Sequence, residues 1–107
     1  MDDLINEVQR RMNTLELSVR NLRRSAEDYA NAEREYKVHL RGEVLRLRDE
    51  GTPVGLIDKV VYGIPSVAEK RFKRDVAKAV YEANQESINT QKLQIRIIDN
   101  QIQREWK

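Results

Sequence analysis

Both prolines and three of the four glycines of this chain fall inside one stretch of sixteen residues, "GTPVGLIDKVVYGIPS", Gly51–Ser66. A proline inside a helix costs about 3 kcal/mol and a glycine about 1 kcal/mol relative to alanine. Outside that stretch only Gly42 opposes helix formation in this way. The chain is therefore restricted to two long segments, each able to run as a single helix, joined by one region of punctuation.

The first segment carries the spacing such a helix needs. Ile5, Val8, Met12, Leu15, Val19, Leu22, Ala26 and Tyr29 are separated by alternating steps of three and four; Tyr36 and Leu40 continue the row, and only Glu33 interrupts it. This is a heptad repeat, the pattern of a helix that lies along another helix. It slips at Leu40, Val44 and Leu47 in the manner of a stutter. Residues 3–50 are predicted as one helix, about 70 Å long at ~1.5 Å per residue. Gly42 is its weak point, a candidate bend or close helix crossing. Gly51 can take the left-handed conformation at the C-cap, and Pro53 follows it.

A short helix is predicted over 53–62. Thr52 is its candidate cap, Pro53 suits its first position, Leu56, Ile57, Val60 and Val61 give it an apolar side, and Gly63 can end it. "SVAE" at Ser66–Glu69 has the form of a capping box, in which the serine hydroxyl and the glutamate satisfy backbone N–H groups reciprocally. No glycine or proline follows, so 67–105 is predicted as a second long helix. One of its faces collects Ile88, Ile95, Ile98, Ile102 and Trp106, with Ala77, Val80 and Tyr81. Phe72, Ala79 and Ala83 lie on a neighbouring face, and Leu93 and Ile97 fall nearly opposite Ile88. Two apolar faces call for two contacts.

The fold class that follows is all-α: an antiparallel, coiled-coil-like helical hairpin forming a single domain over 1–107. A bare two-helix hairpin buries little of either helix. The extra apolar positions, Tyr62, Leu93, Ile97 and Trp106, are therefore candidates for an oligomer or partner interface, and a homodimer with four helices is expected. The alternative is that these atoms stay exposed, which protein surfaces tolerate.

The chemistry available is narrow. The chain lacks cysteine, so disulfides, zinc–thiolate sites and cysteine nucleophiles are excluded. His39 is the single histidine, between Lys37 and Arg41, and is expected to be solvated. Glu33/Glu35 and Asp49/Glu50 are flanked by Arg and Lys, as on salt-bridged helix surfaces. "GTPVG" lacks the lysine and the hydroxyl residue of a phosphate-binding loop, and there is no G-x-S-x-G. A protein without enzymatic activity, cofactor, metal or small-molecule substrate is expected. No apolar run approaches the ~20 residues of a membrane span. The acidic, amphipathic start is unlike a secretory signal, so a cytoplasmic protein is expected.

Charge is the remaining signal. The net charge is only +2, but residues 51–80 hold six basic and three acidic groups. "EKRFKRDVAK" brings Lys70, Arg71, Lys73, Arg74 and Lys78 together, Lys59 precedes them, and a hairpin returns Arg46 and Arg48 to the same end. Such a basic tip could neutralise phosphates of nucleic acid. The bland alternative is a solvated helix surface with Glu69, Asp75 and Glu82 as partners. A helix-turn-helix has the right outline here. It fits poorly, because the turn holds Pro65 and the position to be buried is Glu69.

Two blocks resemble small uncharacterised helical proteins of phages and prophages of Gram-positive bacteria. The resemblance rests on "AEREYK", "LRDEGTPV", "KRFKRDVA" and "IRIIDNQIQREW" and covers about residues 30–106. Such proteins are encoded among early genes, near recombination and single-strand-binding functions. The resemblance implies a role in phage DNA metabolism, within the host bacterial cell, by binding nucleic acid or a protein that handles it. It also admits an inhibitor of a host protein, such as a CRISPR nuclease. A structural coiled-coil adaptor is the third reading, in which the heptads are the whole of the function. The family carries no catalytic residues to transfer.

Overall fold

The computed structural model describes residues 2–106. Among them are three helices and no strand: α1 (Asp2–Asp49), α2 (Val54–Val61) and α3 (Pro65–Glu105). The all-α hairpin of two long helices and a short one is the architecture observed. By contact density the chain divides into two compact units, a three-helix unit of residues 26–80 and a two-helix unit of residues 1–25 with 81–107.

In the three-helix unit, α1 ends as its glycine predicts. Gly51 sits at φ 87°, in the left-handed region. Its N–H donates to the Arg48 carbonyl and the Thr52 N–H to the Leu47 carbonyl, each at 3.0 Å. This pair of bonds is a Schellman motif, and it satisfies carbonyls that the helix end would leave bare. Gly51→Ala is expected to cost about 1–2 kcal/mol, because a Cβ disfavours that conformation although the space around it is open. Gly42 is the opposite case. It has a helical φ and nothing within 4 Å of where a Cβ would stand, so it marks no close crossing. Gly42→Ala is expected to stabilise by about 1 kcal/mol. Thermal unfolding of the two variants beside the parent checks both signs.

The next two helix starts differ from the predicted ones. Pro53 precedes α2 as its extended cap residue rather than its first helical position, and no side chain, Thr52 included, caps that helix. The Pro53 carbonyl instead accepts from the Leu56 N–H at 2.9 Å. After Tyr62 the chain turns through two tight bonds, Gly63 N–H to the Val60 carbonyl and Ile64 N–H to the Val61 carbonyl, without a left-handed glycine. Helix α3 then begins at Pro65, where the missing N–H costs nothing. Ser66 consequently lies inside the first turn of α3. Its hydroxyl meets Nε2 of His39 at 2.8 Å, not the backbone as a capping box would require. His39 is therefore half-buried and paired rather than freely solvated.

The core of this unit is small and apolar. Tyr36 and Leu47 of α1, Ile57 and Val61 of α2, and Val67 of α3 are buried, with Leu40, Val44 and Ile64 packed against them. Val61 and Val67 retain 1% and 0% of their exposure. The stutter of α1 accounts for this cluster: by turning the apolar row at Leu40, Val44 and Leu47, it gives α2 a surface to pack on.

The two-helix unit is held differently. Val8, Leu15 and Leu22 are half-buried, as the heptads require, but the second row that faces α3 is Arg11, Ser18 and Ser25. The predicted row of Ile5, Met12 and Val19 lies to the outside of it, with Ile5 and Met12 exposed. Polar pairs join the helices: Arg11 Nη1 donates to Gln94 Oε1 at 2.8 Å, Gln91 Nε2 to Ser18 Oγ at 2.9 Å, and Asn84 Nδ2 to Ser25 Oγ at 3.0 Å. Ser25 is itself buried and donates to the Leu22 carbonyl. On α3, Ile88 is buried and Ile95, Ile98 and Ile102 are half-buried, on the face the spacing assigns to them. Trp106 and Val80 do not join that face and are exposed. One buried acceptor, Gln91 Oε1, finds no partner. No helix among the described residues is long and apolar enough to cross a membrane.

Candidate functional site

The basic residues of the three-helix unit fall into distinct groups once the helices are in place. Three of them are committed to carboxylates. Arg46 donates to Glu43 and Glu50 at 2.7 Å each, and the Glu43 hydrogen bond, followed by that of Glu50, holds its pKa above the ordinary guanidinium value. Lys70 lies 3.5 Å from Glu35. Arg74 pairs with Asp75 at 2.8 Å and Glu33 at 3.6 Å, and its guanidinium carbon stands 4.8 Å from the centre of the Tyr36 ring. Burial works against the charge of Arg74, but the Asp75 hydrogen bond and the two carboxylates outweigh it and its pKa is raised. Lys70 thus finds its partner on α1 rather than on its own helix, whereas Arg74 pairs with Asp75 of its own helix and also reaches Glu33 of α1.

The others divide by helix periodicity. At ~100° per residue, Ser66 and Lys73 fall on one flank of α3, Arg71 and Lys78 on the other, and Arg74 between them. Contacts with α1 identify the two sides. The first flank faces His39 and Glu35, through Ser66 and Lys70. A shallow groove there is lined by Arg34, Glu35, Val38, His39 and Lys70. The second flank faces Glu33, which Arg74 and Lys37 share at 3.6 Å each. On that side α1 presents Lys37, Arg41 and Arg48, spaced by four and seven.

Helix α2 lies on the second side as well. Val44, which points that way from α1, packs against the core cluster to which Ile57 and Val61 of α2 belong. Tyr62 carries Arg71 over its ring at 5.7 Å. With Ile57 and Val61 turned inward, periodicity sends Lys59 outward, between the exposed side chains of Tyr62 and Leu56. One side therefore gathers Arg41, Arg48, Lys59, Arg71 and Lys78, with Tyr62 beside Arg71, while the exposed Leu56 and Val60 lie across Lys59 on the other flank of α2. All five cations are exposed, and no described carboxylate lies within ion-pair distance of any of them.

Four of the eight basic residues singled out from the sequence thus share this face: Arg48, Lys59, Arg71 and Lys78. Lys73 stands on the opposite flank, and Arg46, Lys70 and Arg74 are tied up in ion pairs. Arg41 was missed, although its seven-residue spacing from Arg48 puts both on one side of α1. Glu69, which a helix-turn-helix would bury, is exposed. Among the candidate interface residues, Tyr62 belongs to this face, whereas Leu93 and Ile97 are exposed on the side of α3 away from α1. The chain matches no protein-family model, no curated protein and no solved structure.

Proposed function

We propose that this chain is a non-enzymatic binding protein that takes the phosphate backbone of nucleic acid against the face built from α1, α2 and α3 of the three-helix unit. The observation that supports this reading is the group of five exposed cations, Arg41, Arg48, Lys59, Arg71 and Lys78, none of which has a carboxylate partner. Unpaired cations on one face are free to replace the counterions of phosphates, whereas paired ones would first have to break a salt bridge. Tyr62, held under Arg71, offers a ring on which an unpaired base can stack. The resemblance to early-gene phage proteins points the same activity toward recombination or replication in a bacterial cell, in the cytoplasm. The homodimer expected from the surplus apolar positions belongs to this reading too.

A second reading has its own support. Leu56 and Val60 on one flank of α2 and Tyr62 on the other leave exposed apolar side chains beside these cations, the kind of residues that anchor a protein partner. An acidic protein surface with an apolar anchor, such as that of a host nuclease to be inhibited, would suit it. The two readings separate by fluorescence anisotropy with labelled single- and double-stranded oligonucleotides. Nucleic-acid binding is expected to weaken steeply between ~50 and ~200 mM salt. Absence of binding at the lower salt would overturn the first reading and leave the protein partner.

A further inference from the structure

We infer that a second copy of this chain packs on α1 within the two-helix unit, antiparallel to it, over the row Ile5, Met12 and Val19. The inference rests on the dimer of the reading above and is independent of its nucleic acid. Helix α1 carries a complete heptad seam from Ile5 to Leu22, with Ile5, Met12 and Val19 as one row and Val8, Leu15 and Leu22 as the other. The chain's own α3 uses only half of it. It takes the Val8–Leu15–Leu22 row together with the polar row Arg11, Ser18 and Ser25 on the far side. The remaining row borders a groove lined by Met12, Leu15, Glu16, Val19, Arg20 and Arg23, with Met12 42% and Ile5 47% exposed.

Burial shows that this unit needs cover. Of the apolar side chains in residues 2–25 and 81–106, Ile88 alone is buried; Val8, Leu15, Leu22, Ile95, Ile98 and Ile102 are only half-buried, beside the polar pairs. Two helices with so little buried between them gain most by widening the apolar interface, as four-helix arrangements do.

A seam with heptad spacing accepts a helix of the same spacing, and the same row of another copy is one. Charge sets the direction. Glu16 and Arg23 occupy equivalent heptad positions, one heptad apart, on the outer edge of the groove. In an antiparallel pair these positions face each other across the two-fold axis, so Glu16 meets the partner's Arg23 and Arg23 meets the partner's Glu16. Val19 then packs beside the partner's Leu22. A parallel pair would set Glu16 against the partner's Arg11, whose guanidinium is already held by Glu7 and Gln94.

The experiment is the mass in solution of the full chain and four variants, by analytical ultracentrifugation across micromolar concentrations. The parent is expected at twice its 12.6 kDa. Met12→Glu, at a position already exposed in the single chain, is expected to run as a folded monomer, with helicity by circular dichroism unchanged. Glu16→Arg and Arg23→Glu each place two like-charge pairs across the two-fold, so each is expected to weaken association about tenfold. The combined exchange restores opposite charges and is expected to recover the parent's affinity. A monomeric parent would overturn the inference, as would a dimer indifferent to Met12→Glu, or single exchanges that the double does not rescue. Oligonucleotide anisotropy of the same variants keeps the two proposals apart. Loss of dimer with retained nucleic-acid binding bears on this inference alone, and a dimer that binds no oligonucleotide bears on the other alone.

Discussion

Val61→Asp is expected to unfold the three-helix unit at neutral pH. Val61 retains 1% of its exposure and touches a cluster made only of Tyr36, Leu47, Ile57 and Val67 and the apolar residues around them. An ionised carboxylate placed there loses its water among apolar side chains, at a cost of several kcal/mol. A small domain has about 5–15 kcal/mol in total, and this unit has one small core to draw on. The predicted sign with pH is opposite to that of a salt-bridged aspartate. Burial raises the carboxyl pKa, so the penalty is full above that raised value and shrinks as pH falls and the group becomes neutral. Val60→Asp is the control. Its side chain is 45% exposed on the outer side of the same helix, and the substitution is expected to cost about 1 kcal/mol or less. Thermal melts followed by circular dichroism at two pH values compare them. A Val61→Asp protein that melts within a few degrees of the parent would mean that α2 is not seated as described.

The second large effect concerns binding. Replacing Arg48, Lys59, Arg71 and Lys78 together by alanine is expected to reduce oligonucleotide affinity about a hundredfold or more near physiological salt, and to flatten its salt dependence. Each phosphate contact contributes ~0.9 to the slope of log K against log salt on duplex and ~0.7 on single strands, so four contacts remove about three. None of the four has a carboxylate partner, so their loss leaves no buried charge unpaired and the fold should persist. Lys70→Ala with Lys73→Ala removes half as many charges from the other flank of α3 and is expected to change binding little. Equal losses from the two sets would show that net charge, not this face, governs association.

Much of the architecture was legible because its determinants are local. Gly51 and Pro53 end α1, and Gly51 does so by the left-handed cap that its lack of a Cβ allows. The isoleucines at 88, 95, 98 and 102 share a face on any helix that contains them. What could not be read locally was which neighbour each side chain would meet. The "SVAE" serine is a good cap in isolation, yet the helix starts at Pro65, two residues before the start that cap would give, and the hydroxyl is left for His39, twenty-seven residues away in sequence. The heptads of α1 mark an apolar stripe, but spacing alone does not say that the intramolecular partner takes Ser18 and Ser25 in place of Val19 and Ala26. That choice is made by Gln91 and Asn84 on the other helix. The basic run misled in the same way. Five cations within nine residues look like one patch, whereas α3 distributes them around its axis and α1 supplies carboxylates to two of them.

The polar pairs between α1 and α3 also bear on how the chain avoids its own mistakes. A seam of identical apolar heptads is degenerate, because sliding one helix past the other by seven residues restores the same pattern and nearly the same burial. Ser18–Gln91 and Ser25–Asn84 lift that degeneracy. They are spaced by seven on both helices, so both close in a single alignment. A slip of one heptad that sets Ser18 against Ile98 brings Ser25 to Gln91, so one of the two pairs survives and the other is lost, with half-buried Ser18 and Asn84 left without their partners. The hydrogen bonds give up apolar contact in exchange for a unique alignment, so the two-helix unit works as a key that turns in one position only.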